Sequence, residues 1–378
     1  MVKYLLLLLI FILNSSKLFS FHIDSIVDHA SKTSNNKNIA QKTIPNAESF
    51  FELSQTPFSE EFVATNPYYL MQVSQDTLNF LHSTKGQSND CVVPRHFKKV
   101  LSREKIESTL KFIIATIKQD MHKNKFRILD PNFLNKNFHF IHWKADTSEA
   151  QNNGIRLDRG GEIRLTSYAI FSVRGNTHKT TAFPCALYQA FDPKIALKFT
   201  KQQVLAGILE KPENKKSVRA MAWLSRDDFE DALMQGTIMV RLPDNKEHVF
   251  VANLSNNIDY DRKESDPRHQ KRFWFFKESK NSNWTIDQFK KRLKNRQNVI
   301  FAGDLYNIGI GKIIAIKHQN PITHKKEIRL GVLADTGGAF IKNLYQLDLF
   351  AGIFNNRSEL SIYLKNIPVK ADAFILWH

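Results

Sequence analysis

The chain has 378 residues, with 54 Lys and Arg against 37 Asp and Glu, a formal net charge of +17, and 29 Phe, 14 Gly and 12 Pro. That length can bury a sizeable core and has room for two domains. So few Gly and Pro exclude a fibrous or low-complexity protein, and the Phe content favours a packed, β-rich interior over disorder.

Residues 1–20 read as a secretory signal peptide: Lys3 gives a charged start, residues 5–13 form an apolar core too short to span a bilayer, and Asn14, Ser15, Ser16 and Ser20 follow. Cleavage is expected near Ser20. No Cys lies near that point to form a lipobox and carry a lipid anchor, and no second run has transmembrane length. The expectation is an exported, periplasmic protein without stable membrane insertion. Loss of Lys3 and Lys17 would take the formal charge from +17 to +15. A basic exported protein suits an acidic polymer such as nucleic acid, anionic lipid or cell wall, or simply carries a basic surface with no particular partner. Cys91 and Cys185 can pair in an oxidising compartment or stay two separate thiols; two cysteines fix neither outcome.

Residues 21–65 are polar and read as a flexible lead-in. Apolar residues at helical spacing follow in 68–81 (Leu70, Val73, Leu78, Leu81) and in 102–121 (Ile106, Leu110, Ile113, Ile114, Ile117), giving two packing helices. Strands are expected at 138–143, 163–173 and 183–188. Ser225 is placed to cap a helix over 225–234, with Asp228 in its first turn. Strands at 237–242 and 247–252 flank a Pro243-Asp244-Asn245 turn as a hairpin. The stretch 259–296 is the most basic. Inside it 272–277 reads as a strand, and Thr285 with Gln288 forms a capping box opening a helix. Its mixed basic and aromatic residues come with no recognised nucleic-acid motif, so it reads as a solvated face, with no nucleic-acid partner. Beyond Val299 strands dominate.

The chemistry concentrates in that last part. Residues 328–334 form an apolar strand that runs into Asp335-Thr336-Gly337-Gly338, where paired glycines permit a positive φ and close approach of a ligand. Asp348 then follows among Leu347, Leu349 and Phe350, where burial should raise its pKa and let it hold a proton near neutrality. A second apolar strand, 299–303, also leads to an aspartate, Asp304. Three readings compete. An aspartic protease needs a second Asp-Thr-Gly to share a proton, and this chain has one. A wall-binding barrel would use Asp335 only to shape its turn. In the third, Asp304, Asp335 and Asp348 sit at strand ends and converge, and one stays protonated as a general acid.

The pattern resembles the three-aspartate domain of the membrane-bound lytic murein transglycosylase A family. Its signature of Asp-x-Gly-Gly-Ala followed by Asp-x-Phe/Tyr-x-Gly is matched at 335–339 and 348–352. Leu165-Thr166-Ser167-Tyr168 with Phe183-Pro184 and Tyr188, Leu224-Ser225-Arg226 followed by Gln235-Gly236-Thr237, and Phe273 to Lys277 are similar to further family blocks in the same order. The chain departs from the family in several places, among them the absent lipobox Cys and a much shorter linker between Ser225-Arg226 and Gln235-Gly236. Asp335 and Asp348 lie thirteen positions apart, a longer gap than usual. Tyr306-Asn307-Ile308-Gly309 replaces a Pro-Pro-Gly-Thr turn, and Gly236-Thr237-Ile238 lacks a second Gly.

The resemblance implies a mainly β protein with N-terminal helices: a double-psi β-barrel domain with a second, inserted β-rich domain, and a glycan strand held between them. The helices and first barrel part would be 66–166, the insertion 167–280 and the three-aspartate part 281–378. It implies cleavage of the MurNAc–GlcNAc bond of peptidoglycan with formation of 1,6-anhydro-MurNAc. Asp348 would be the acid and Asp335 and Asp304 would orient or tune it. Thr336, Gly337 and Gly338 would shape the cleft, and Gln235, Gly236 and Tyr168 would line it. No metal or organic cofactor is implied, the scattered His lacking ligand spacing. The protein is expected to act as a monomer on peptidoglycan glycan strands. A non-catalytic or weakly active peptidoglycan-binding protein on the same fold is the alternative.

Overall fold

The structure is a computed structural model, and it describes residues 42–378 apart from 84–88, 124, 159, 262, 265 and 280–284. The signal peptide read over 1–20, and 21–41 of the lead-in, lie outside the described residues. The chain forms two compact units. One comprises the residues up to Ser167 with Asn295–Ala351 and Tyr363–His378; the other comprises Tyr168–Lys294 and Gly352–Ile362.

The first unit holds strands β1 (Phe51–Ser54), β2 (Phe62–Val63), β3 (His139–Trp143) and the start of β4 (Ile163–Arg174). From the C-terminal part come β10 (Ile300–Ala302), β11 (Ile313–Gln319), β12 (Lys326–Asp335), most of β13 (Gln346–Phe354) and β14 (Lys370–Trp377). The sheet runs β1-β3-β14-β11-β12-β10-β13-β4, and β4 pairs back onto β14 through Arg164–Lys370 and Ile163–Ala371, so six strands follow one another in a closed order. β10 runs parallel to β12 in the middle of this order, and all three of its residues are buried. A strand covered on both faces reads as an unbroken apolar run, which is why 299–302 shows no alternation. Gly331 sits mid-strand for a packing reason: a Cβ there would meet the Phe301 ring at 2.5 Å.

Helices α1 (Pro67–Ser83) and α2 (Arg103–Asp120) pack together through the expected stripes, with Leu70, Leu81, Leu110 and Ile117 fully buried. Ser102 caps α2 by accepting from the Lys105 amide. A buried ion pair between Asp76 and Arg296 ties α1 to the chain entering β10. The part of the lead-in from residue 42 is not loose. β1 pairs antiparallel with β3, β2 runs parallel to β12, and Phe58 makes edge contacts with Phe140 at 5.3 Å and Phe374 at 5.6 Å. An isolated aromatic in a polar stretch gives no periodicity, yet Phe58 fills a slot on a sheet formed by distant strands.

The second unit contains the rest of β4, β5 (Cys185–Ala190), β6 (Val218–Leu224), β7 (Thr237–Arg241), β8 (Glu247–Ser255) and β9 (Trp274–Glu278). β5 and β6 pair as a separate sheet; β4 lies parallel to β7, and β7, β8 and β9 are antiparallel neighbours. Helix α3 (Arg226–Gln235) is capped by Ser225, whose hydroxyl accepts from the Asp228 amide at 3.2 Å, and ends where Gly236 takes φ 75°. Helix α4 (Ile286–Lys294) starts with the Thr285–Gln288 capping box and buries none of its residues. It groups with this unit through Lys290, which reaches Glu247 at 2.7 Å. The start of helix α5 (Arg357–Leu364) also belongs here, with Arg357 on Asp231 at 2.7 Å. Cys91 and Cys185, one in each unit, are free thiols. Among the described residues no helix is long and apolar enough to cross a membrane.

Candidate active site

β10 brings two aspartates alongside each other in the first unit. Its Ala302 is opposite Asp335 of β12 on one side and opposite Asp348 of β13 on the other, and the Gly303 amide donates to the Asp335 carbonyl at 3.2 Å. With strands ~4.8 Å apart, the two aspartate backbones stand about two strand spacings from one another.

Asp348 is half-buried, the third residue of β13, with Leu347 and Leu349 turned into the core on either side. Gln346, on the same face two residues earlier, donates to Asp348 Oδ1 at 3.2 Å and to Thr166 Oγ1 at 2.8 Å. Loss of hydration pushes the Asp348 carboxyl up to about 7, and the negative charge of Asp335 pushes the same way. The Gln346 bond and the Arg164 charge oppose them. A carboxyl that is packed in apolar surroundings yet keeps part of its surface open can hold a proton at neutral pH and pass it on. Asp335 closes β12 and accepts from the Thr336 amide at 2.8 Å; it and the next four residues, Thr336 to Ala339, are all half-exposed.

Asp304 is a different kind of aspartate. It lies two residues past β10, is 0% exposed, and its carboxylate accepts from the Tyr306 amide at 3.0 Å, the Asn307 amide at 3.2 Å, Asn307 Nδ2 at 2.7 Å and the Asn343 amide at 3.0 Å. Burial pushes its pKa up to about 6 against the pull of those four bonds. This saturated group clasps the 304–309 turn to the loop that carries Asn343. Asn307 extends the clasp, accepting from the Ile44 amide at 2.8 Å and donating to the Lys42 carbonyl at 3.2 Å. Of the three aspartates, then, Asp335 and Asp348 keep open surface and Asp304 does not.

The paired glycines work differently from the sequence expectation. Gly337 is extended, at φ −152°, and Gly338 opens a 3-10 turn, so neither supplies a left-handed backbone. A Cβ on Gly337 would meet the Phe340 ring at an ordinary 3.6 Å. What the glycines contribute is a turn free of side chains beside Asp335. In the second unit, Gln235 Oε1 accepts from the Ala169 amide at 3.0 Å, which sets Gln235 and Gly236 beside half-buried Tyr168. Among the described residues no three His, Cys, Asp or Glu gather as a metal would need.

Sequence reasoning missed Gln346, Arg164, Asn307 and Asn343. Gln346 had a local signal, the i−2 position on the face of Asp348. Arg164 and Asn343 meet their aspartates through strand and loop neighbours far apart in sequence, which no spacing reveals.

No protein-family model and no curated protein matches the chain. Solved structures do: its fold is that of the MltA lytic murein transglycosylases. The membrane-bound lytic murein transglycosylase of Agrobacterium tumefaciens aligns with TM-score 0.58 at 14% identity, over 86% of this chain and 97% of that one. Escherichia coli MltA with bound chitohexaose aligns with TM-score 0.57 at 14% identity, covering 86% and 94%. Neisseria gonorrhoeae MltA gives 0.51 at 12% identity, covering 86% and 91%.

Proposed function

We propose that the protein is a lytic transglycosylase, exported to the periplasm, that cleaves the MurNAc–GlcNAc bond of peptidoglycan. The observation that carries the reading is Asp348: a half-open carboxyl pushed up to about 7, one strand over from the β10 residue that also faces Asp335. In this reading protonated Asp348 donates to the glycosidic oxygen as the bond to C1 breaks. The sugar's own 6-hydroxyl adds to C1, closing the 1,6-anhydro ring, and its proton returns to the Asp348 carboxylate. One carboxyl serves as acid and then base, so no water and no protein nucleophile is required, unlike the usual paired-carboxylate glycosidase. The negative charge of Asp335 raises the proton affinity of Asp348 and favours positive charge developing at C1. Asp304 acts by fixing the surrounding loops. Thr336, Gly337 and Gly338 form a flat wall to the cleft, and Tyr168, Gln235 and Gly236 hold the glycan. The closed strand order of the first unit is read as the double-psi barrel, the second unit as its insertion, and the protein as a monomer.

Mass analysis of wall digested by the purified protein tests this. Anhydro-muropeptides are expected. Reducing-end products would mean hydrolysis, and intact wall would leave a glycan-binding protein.

A further inference from the structure

The second unit also holds a cavity of about 350 Å³ lined by Ser172, Val173, Arg174, Asp228, Arg241 and Asn355. β4 and β7 build it. In their parallel register Arg174 lies opposite Arg241 and Ser172 opposite Met239, and both arginines are exposed at the strand ends. Like charges placed directly opposite across two strands repel. Arg241 has an answering group: its Nη2 donates to Glu247 Oε1 at 2.9 Å, a carboxylate that Lys290 also holds at 2.7 Å. The Arg174 side chain has no hydrogen bond, ion pair or ring contact among the described residues. Asp228 also lines the cavity, with its Oδ2 accepting from the Ser225 hydroxyl at 2.6 Å and no bond to Arg174, and Asn355 Nδ2 is held by Glu359 at 3.2 Å. The cavity therefore presents an unpaired guanidinium fork beside a second guanidinium and the Ser172 hydroxyl.

A planar guanidinium with free N–H groups is matched by a planar carboxylate, which takes two parallel hydrogen bonds from it. We infer that this pocket binds a carboxylate of the wall polymer, at a point remote from the sugar that reacts. The inference rests on the proposed action on peptidoglycan, whose peptide stems and lactyl groups are the two sources of such a carboxylate. Remoteness follows from the strands: Tyr168 and Arg174 lie at opposite ends of a seven-residue run of β4, six steps of ~3.3 Å or roughly 20 Å apart. A hold at that distance fixes the polymer's position along the second unit without touching the reacting bond.

Calorimetric titration of the full-length protein with two probe pairs tests this. One pair is the free stem tetrapeptide L-Ala–γ-D-Glu–meso-diaminopimelate–D-Ala and its fully amidated form. The other is a stem-free glycan oligomer and its lactyl methyl ester. The acid form of at least one pair should bind about tenfold more tightly, the worth of one charge-assisted bond, and which pair does so identifies the source. Arg174→Gln should erase that preference and Arg174→Lys keep part of it. Arg219→Gln, the same charge loss elsewhere in the unit, should not change it. No preference in either pair, or a preference that survives Arg174→Gln or falls equally in Arg219→Gln, overturns the pocket. Wall digestion reads the other proposal independently. An Arg174-dependent preference without anhydro products keeps the pocket and removes the catalytic reading; anhydro products without the preference do the reverse.

Discussion

Asp348 and Lys312 show how the same force, loss of hydration, can serve chemistry at one position and burden the fold at another. At Asp348 burial favours the neutral acid and pushes the pKa up to about 7. Cleavage should therefore fall as pH rises through about 7, and Asp348→Asn should abolish it, because the amide keeps the shape but donates no acidic proton. The native state holds this proton over a range where the unfolded chain, with an ordinary aspartate, has lost it. That contribution to stability is present at low pH and fades as pH rises to 7, so Asp348→Asn should be at least as stable as wild type above pH 7. Digestion assays across pH with melting curves on both proteins check this; wild-type turnover by the variant would remove Asp348 from its role. Lys312 is fully buried, its Nζ donates to the Val92 carbonyl at 2.6 Å, and burial pushes its pKa down to about 7. Here the unfolded chain binds the extra proton between pH 7 and about 10, so wild-type stability should climb with pH over that window. Lys312→Met should flatten the climb and, at pH 6.5, stabilise the fold by ~1–3 kcal/mol, the scale of a buried charge replaced by an apolar side chain. Urea midpoints at pH 6.5 and 9 measure both effects. The raised pKa at Asp348 was readable from its apolar neighbours. Nothing marked Lys312, because its burial comes from Phe97 and the Val92 turn, over two hundred positions away.

The strands and helices followed sequence pattern closely wherever a buried face or a cap marks them: α1 and α2 from their stripes, α3 and α4 from their caps, β10 and β12 from unbroken apolar runs. Pattern failed where a segment owes its shape to a distant partner. β1 and β2 are four and two residues long and exist because β3 and β12 offer them edges. The Gly-Gly turn misled in another way, since composition suggested left-handed backbone that the chain uses elsewhere. One such place is Gly352, inside β13 four residues after Asp348, at φ 119°. A residue with a Cβ rarely takes that conformation. Gly352→Ala should cost ~1–3 kcal/mol of stability, the range for a non-glycine residue held in a sparsely populated region. Denaturant unfolding would show it, and a variant as stable as wild type would mean that β13 relaxes there freely.

Over the molecule as a whole, the charge of +17 is the property the sequence stated most directly, and its use is the easiest to measure. If the basic excess holds an anionic wall, pelleting of the protein with sacculi should weaken several-fold between low salt and 0.5 M, as screening falls well below the ~8 Å reach of physiological salt. Affinity that does not change with salt would place binding in uncharged sugar contacts. The division of the chain was less accessible to composition. Gly352–Ile362 returns to the second unit after a long stretch in the first, and ion pairs such as Arg357–Asp231 that accompany the return link positions 126 residues apart.

Cys91 and Cys185 give this division a built-in clock. Burial pushes the Cys91 thiol up to about 11 and the Cys185 thiol upward as well, so at pH 8 about one Cys91 in a thousand is a thiolate, and the folded protein should resist alkylation. Each thiol should react faster once its own unit opens, and each unit holds one. Pulse labelling in sub-denaturing urea, with the two sites separated by peptide mass, therefore records two opening rates from one sample. Equal rates would mean that the units open as one cooperative body. A Cys185 rate that outpaces Cys91 would mean that the second unit can open and close while the strands carrying Asp335 and Asp348 stay folded.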